Sequence, residues 1–152
     1  MRFHWFHLMP YPDLPDDFKS KYRSVWVDVP SELYDPEKGH RVYHEYLDQL
    51  EFADSLGFDG ICVNEHHQNA YGLMPSPNLM GAALARRTSN AALVVMGNSI
   101  ALYNPPVRVA EEFAMLDVMS GWPVDRRFSR RHVNGYQFLL RPAPGSAAGK
   151  IR

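Results

Sequence analysis

The tripeptide Glu65-His66-His67 sets a carboxylate beside two imidazoles, directly after the apolar run Gly60-Ile61-Cys62-Val63 and Asn64. Such groups exchange protons near neutral pH, because histidine titrates there. Adjacent side chains of a strand point to opposite faces, so one of the two histidines is expected to face a pocket. A polar turn with satisfied side chains fits the same residues. Metal ligation by Glu65 and His66 is a sharper alternative, but three consecutive residues do not readily enclose one ion. The H-E-x-x-H type of spacing depends on a helix that is not expected here. His4, His7, His40, His44 and His132 are read as lacking ligand spacing too, so no metal site is expected. Gly97-Asn98-Ser99 offers backbone N–H groups, an amide and a hydroxyl, which fits either a ligand contact or a plain strand-to-loop transition. Neither a Walker A loop nor G-x-G-x-x-G occurs. Trp5, Phe6 and Tyr11 could wall an apolar pocket, with core packing the better use of Trp5 and Phe6.

These residues need elements to position them. Residues 3–9 are aromatic-rich, end at Pro10 and read as a buried strand. Residues 10–42 carry five prolines and many charges, the marks of a long irregular excursion. From Tyr43 the period changes: Tyr43, Tyr46, Leu47, Leu50, Ala53 and Leu56 mark one face of a helix, and Gly57 stands at its C-terminal cap. Gly60–Val63 is the second strand, and a loop covers 68–76. Leu79, Met80, Ala83 and Leu84 predict a helix with Arg86 and Arg87 in its last turn, where they complement the dipole. Leu93–Met96 is the third strand, continuing through Ile100. Pro106 opens a third helix with Val109, Phe113 and Leu116 on its core face, ending at Ser120-Gly121. Strands without alternation, each followed by a helix, predict a parallel α/β sheet. Chemistry in such folds sits at the carboxyl ends of strands, here Leu8-Met9, Asn64–His67 and Gly97–Ser99.

The chain of 152 residues is 45% apolar and 22% charged, ordinary values for a globular domain. The single Cys62 excludes an internal disulfide and suits a reducing compartment. Absence of a long apolar run and of a signal-peptide pattern at Met1–Trp5 gives the expectation of a cytoplasmic protein without membrane association. Net charge is −1, but it is unevenly spread. Residues 1–121 hold 9 Lys/Arg against 16 Asp/Glu, whereas 122–152 hold 7 Lys/Arg against Asp125 alone. A basic tail of this kind admits a non-enzymatic reading, a module that grips nucleic acid through phosphates. The acidic head and the tail's lack of helical periodicity weigh against it, so no nucleic-acid partner is expected.

Four motifs in order resemble the bacterial luciferase-like family of flavin-dependent monooxygenases. They are the Phe-His-Leu-Met-Pro-Tyr strand, Leu56-Gly57-Phe58-Asp59-Gly60, Asn64-Glu65-His66-His67 and Pro106-Val107-Arg108-Val109-Ala110-Glu111-Glu112. Met115-Leu116-Asp117-Val118-Met119-Ser120-Gly121 belongs to the same pattern, and the resemblance covers nearly all of residues 1–121. It implies the first three βα units of a (β/α)8 TIM-type barrel. It also implies reduced FMN as co-substrate, with a deazaflavin in some branches, used with O2 to oxygenate a small organic molecule. A flavin reductase and a homo-oligomeric full-length form go with this reading. The motif's first histidine is the family's proposed acid/base residue, which maps to His66. The third strand runs under the flavin, often with a non-proline cis peptide, which maps to Asn98-Ser99 as cofactor-binding residues.

After Ser120-Gly121 the likeness stops at Trp122-Pro123-Val124-Asp125. Read one base later, the Trp122 codon TGG and the first base of Pro123 give GGC, glycine. The shifted frame then permits Gly-Arg-Leu-Thr-Ala-Gly-Phe-Pro-Val-Gly-Thr-Ser-Met-Asp, the string that the family would supply. The expectation is therefore 1–121 as the N-terminal portion of a barrel domain and 122–152 as an out-of-frame or disordered basic tail, in a truncated chain of weak or no activity. A metal-dependent barrel hydrolase built on Glu65 and His66 is the enzymatic alternative.

Overall fold

A computed structural model of the chain describes residues 1–121, and the expected basic tail, 122–152, lies outside the described residues. Three parallel strands form one sheet in the order β1 (His4–Phe6), β2 (Gly60–Asn64), β3 (Ala92–Met96). Trp5 pairs with Ile61 and Ile61 with Leu93, so these three share one face. The helices α2 (Pro36–Ser55), α3 (Pro77–Arg87) and α4 (Val107–Ser120) complete the units, and a single turn, α1 (Phe18–Lys21), interrupts the excursion after β1. The strand-helix alternation is thus the parallel α/β arrangement that the apolar, non-alternating strands imply.

The core lies between sheet and helices. Ile61, Val63, Leu93 and Val95 meet Leu50, Met80, Leu84, Val109 and Phe113 there. Leu50, Ile61 and Leu84 are wholly buried, each contributing about 1.5–3 kcal/mol. Helix α2 starts earlier than its apolar period suggests. The Asp35 carboxylate accepts from the N–H groups of Glu37 and Lys38, and Pro36 occupies the first turn. This cap is worth about 1 kcal/mol and brings 36–42 into the helix and out of the excursion. At the other end Gly57 turns the chain with φ +84°. Helix α3 exposes Leu79, not a core residue as its spacing suggested: its inward face is made by Pro77, Met80, Gly81, Leu84 and Ala85, which leaves Leu79 on the outer side. Its Arg87 does more than complement the dipole: it pairs with Glu51 and Asp48 of α2. Val109, Phe113 and Leu116 form the buried face of α4, as expected.

β1 departs further from expectation. It ends at Phe6, and Phe6 is 46% exposed. Trp5, half-exposed, packs edge-on against Phe58 at 5.4 Å and does not enter the core. The reason is position: β1 is an edge of the described sheet, and Phe6 stands on the face that no described helix covers. On the same face Met96 is 54% exposed. The third strand likewise stops at Met96, and Ile100–Leu102 forms a 3-10 turn.

Asp54 ties the amino-terminal end of β3 to α2. Its buried carboxylate accepts from the N–H groups of Ser89, Asn90 and Ala91. Burial alone would raise its pKa, but these three N–H groups and the Asn90 amide hold it below the usual carboxylate range. Asp54→Ala should therefore expose the amides of residues 89–91 to hydrogen exchange, with a stability loss on the order of 3 kcal/mol. A depressed carboxylate pKa stabilises above its unfolded value, about 3.9. Protection of these amides should thus persist above that pH and fade as pH falls through the lowered folded pKa. Unchanged exchange in the variant would show that the carboxylate does not hold the loop. A second outcome concerns the open face: the apolar surface at Phe6 and Met96 and the edges of β1 and β3 should make the isolated chain self-associate. Light scattering checks this, and a monomer with a cooperative thermal transition and exchange-protected residues 122–152 would show instead that the tail completes the fold.

Candidate active site

The carboxyl ends of the three strands carry one polar assembly, and each chain leaves its strand through a left-handed residue. Met9, Gln68 and Asn98 have φ values of +52°, +52° and +61°. Backbone bonds knit the exits together: Leu73 N–H donates to the Met9 carbonyl at 2.8 Å, Tyr11 N–H to Ala70 at 2.9 Å and Ala70 N–H to Val25 at 3.0 Å. Two tyrosines of α2 reach the same loops, Tyr43 donating to the Leu73 carbonyl and Tyr46 to that of Pro10. Burial pushes both phenols up, so they remain neutral donors.

Asn64, the last residue of β2, is buried, and its Nδ2 donates to the His7 carbonyl at 2.7 Å. Its Oδ1 meets Nδ1 of His66. The His66 ring is half-buried against Trp26 and Tyr71, each with its centroid at 5.3 Å, while Trp26 and Tyr71 stack on one another at 3.8 Å. Burial pushes the His66 pKa down, the neighbouring His67 adds to this, and Glu65 opposes it. The surroundings thus favour the neutral imidazole.

Glu65 turns the other way. Its side chain is only 6% exposed and accepts from the N–H of Asn98 at 2.5 Å, from Tyr103 Oη at 3.2 Å and from His67 Nε2 at 2.8 Å. The Tyr103 phenol is pushed up to about 12 by burial and then by the Glu65 charge and hydrogen bond, which keeps it a donor. Gly97 is required at this junction, since a Cβ would lie 2.6 Å from that of Glu65. His67 is exposed but does not simply occupy the opposite face of a pleat. The strand ends at Asn64, so His67 bends back over the Glu65 carboxylate.

Asn98 is buried and donates from Nδ2 to Asn78 Oδ1 at 2.7 Å. Asn78 donates in turn to Glu112, whose other oxygen accepts from Arg108 Nε, both at 2.7 Å. Burial favours a protonated Glu112, yet the Asn78 amide and Arg108 hold its pKa below the ordinary value. Oδ1 of Asn98 is buried without a hydrogen-bond partner among the described residues. Ser99 is exposed and opens the 3-10 turn. The expected cis bond between Asn98 and Ser99 is absent. The peptide is trans, the left-handed φ of Asn98 supplies the sharp turn, and the cis bond among the described residues is Asn104–Pro105.

The assembly thus brings Asn98 to Glu65, sets His66 beside Asn64 and leaves Ser99 at the rim. Sequence reasoning missed Asn64, Trp26, Asn78 and Tyr103 as partners. Only Asn64 carried a local signal, a polar residue closing a fully apolar strand. Glu65 and His66, the pair behind the metal-dependent alternative, turn to different partners, and no three His, Cys, Asp or Glu side chains converge on one point among the described residues. His40 and His44 do have helical spacing, contrary to the sequence reading. They lie one turn apart on α2 with rings 4.5 Å apart, because that helix begins at Pro36 and not at Tyr43. No described helix is long and apolar enough to cross a membrane.

A profile of the luciferase-like monooxygenase family matches residues 24–121. The chain is 36% identical over 80 residues to the alkanal monooxygenase beta chain of Vibrio harveyi, covering 53% of this chain and 24% of that one. It is 30% identical over 115 residues to the oxygenase component of a flavin-dependent trigonelline monooxygenase from Acinetobacter baylyi, covering 75% and 31%. Among solved structures it is similar to a monooxygenase from Streptomyces bottropensis, with TM-score 0.55 and 26% identity over 79% of this chain and 30% of that one. The oxygenating constituent of 3,6-diketocamphane monooxygenase from Pseudomonas putida, solved with FMN, shares the fold at TM-score 0.55 and 19% identity, over 79% and 27%. The chain therefore spans between about a quarter and a third of the length of these relatives. The family match covers more than half of the chain and the solved structures share its fold, and the chain belongs to the luciferase-like monooxygenase family.

Proposed function

We propose that residues 1–121 form the acid/base wall of a flavin-dependent monooxygenase, with His66 as the proton-transferring group and reduced FMN and O2 as co-substrates for oxygenation of a small organic molecule. The observation that carries this reading is the half-buried, neutral His66 at the carboxyl end of β2, with Nε2 left unpartnered among the described residues. The residues at hand suit a flat amphipathic ring. Phe6 and Met96 give the open sheet face an apolar floor, and the orphaned Asn98 Oδ1 calls for a donor. Asn98 and Ser99 would hold the ring's polar edge, and the reduced flavin, when bound, supplies the electrons that activate O2. His66 takes up or returns the proton that oxygenation moves, and Trp26 and Tyr71 keep water from it. Nothing in the relatives' names favours a deazaflavin. An oxygenase component among the relatives supports a separate flavin reductase as the electron source. Turnover belongs to the complete eight-stranded barrel, and the chain alone, with 122–152 as a segment foreign to that barrel, should turn over weakly or not at all.

The test is a chimera that sets residues 1–121 in a complete family barrel. His66→Ala should lower turnover by about 10²–10⁴-fold while flavin affinity changes far less. His67→Ala, which removes one exposed partner of Glu65, should cost about 1 kcal/mol or less of stability and little turnover. Equal, small losses from both would remove His66 from the reaction. The base must be deprotonated to act and its pKa is depressed. The rate should therefore rise with pH through a value below the ordinary histidine pKa of about 6.5, and stay level above it.

A further inference from the structure

We propose that Asn64 is a positioning residue that fixes His66 in its Nδ1–H tautomer and so leaves Nε2 bare as the proton acceptor. The inference rests on the reading of His66 as the acid/base group and adds how that group is set for its task. A backbone carbonyl can only accept, so the 2.7 Å contact with the His7 carbonyl must be made by the NH2 end of the Asn64 amide. Its oxygen then faces His66 Nδ1, and an amide oxygen can only accept as well. The single proton of a neutral imidazole must therefore sit on Nδ1. An unrestrained histidine side chain prefers the other tautomer, so the surroundings reverse the intrinsic preference.

The His7 carbonyl is itself held in place. Nδ1 of His7 accepts from the Met9 N–H at 2.9 Å, which puts the His7 ring proton on Nε2, facing Gln49 Oε1 at 2.9 Å. Gln49 completes its amide by donating to Glu45 Oε1 at 3.2 Å. Donor and acceptor directions thus run without conflict from the surface of α2 through β1 and β2 to His66. Both Asn64 and His7 are buried, so water does not compete for these contacts. Among the described residues, the groups facing His66 are Asn64, Glu65 and His67 from its own strand end, Tyr71 and Gly72 from the following loop and Trp26 from the excursion. None of them donates to Nε2. A proton arriving at Nε2 gives an imidazolium whose Nδ1–H keeps its bond to Asn64, so no neighbour has to reorient.

Magic-angle-spinning NMR of the chain with 15N-labelled histidine reads the tautomer whether the chain is monomeric or associated, with His66→Gln identifying the signals. At a pH above its titration, His66 should show a protonated-type Nδ1 and an unprotonated-type Nε2. Asn64→Ala should lose that pattern in favour of the Nε2–H form, and Asn64→Asp, which keeps an oxygen acceptor, should retain it. A wild-type His66 in the Nε2–H form overturns the proposal without any variant, and so does an unchanged tautomer in Asn64→Ala. Failure of the functional reading looks different: the tautomers would be as stated, yet His66→Ala in the complete barrel would turn over normally.

Discussion

The Glu65 carboxylate is almost wholly removed from water at the junction between two parallel strands, and the site is arranged around its need for donors. A desolvated carboxylate without partners would take up a proton or draw in water. Here it is met by a backbone N–H from the exit of β3, a phenol from the loop beyond and an imidazole from its own strand end. Each donor comes from a different segment, so satisfying one charge fixes the exits of β2 and β3 and the loop beyond β3 relative to one another. The requirement reaches into the sequence at Gly97, where any larger residue would push β3 away from Glu65. It also explains why Asn98 adopts a left-handed backbone: its N–H must turn toward the carboxylate as the chain leaves the sheet. Single left-handed residues of this sort cost about 1 kcal/mol each and persist where neighbouring bonds determine them.

The two ends of the sheet use carboxylates for different purposes. Asp54, at the amino-terminal end, accepts from three consecutive backbone N–H groups and from the Asn90 amide, with no titratable partner among the described residues. Its charge is consumed by holding a turn. Glu65 has two titratable partners, His67 and Tyr103, and its charge moderates the proton affinity of His66. A fold of parallel strands thus puts its rigid anchor at one end and its proton-exchanging groups at the other, joined by the apolar faces of β2 and β3.

Much of this was legible in the residue order. The apolar blocks 60–63 and 93–96 specify the parallel strands β2, buried throughout, and β3, buried on one face, and the spacing of Val109, Phe113 and Leu116 specifies the buried face of α4. The start of α2 was misplaced because Pro36 reads as a breaker when prolines are counted. Taken with Asp35 ahead of it, the same proline is a start signal, and the i, i+4 spacing of His40 and His44 follows from it. Trp5 and Phe6 look like core residues by type alone, but type does not reveal that β1 is an edge. Asn78 lies 20 positions from Asn98, and Asn98 and Tyr103 lie 33 and 38 positions from Glu65; no local pattern announces such pairs. The imidazole of His66 stands out in its motif as a titratable group, whereas its hydrogen-bond geometry required the orientation of an amide that the sequence leaves free.

The base strength of His66 is finally a property of the excursion between β1 and α2. Its pKa falls chiefly because the ring is buried, and the burial comes from Trp26 and Tyr71. Tyr71 is anchored close by, since its N–H donates to the Asn69 side chain. Trp26 is 47% exposed, and its segment is joined to the site by the bond from Ala70 to the Val25 carbonyl. The excursion's far end is tied down where Tyr11 accepts from the N–H of Asp35, the residue that caps α2. Moving Trp26 away would admit water to the ring and let its pKa climb toward the ordinary histidine value, which at neutral pH leaves less of the free base. The Asn64 bond does not depend on that segment and would persist. The tautomer is therefore set at the buried end of β2, whereas the largest influence on base strength is the burial of the ring beneath the aromatic cover from the loop, with His67 and Glu65 acting in opposite directions beside it.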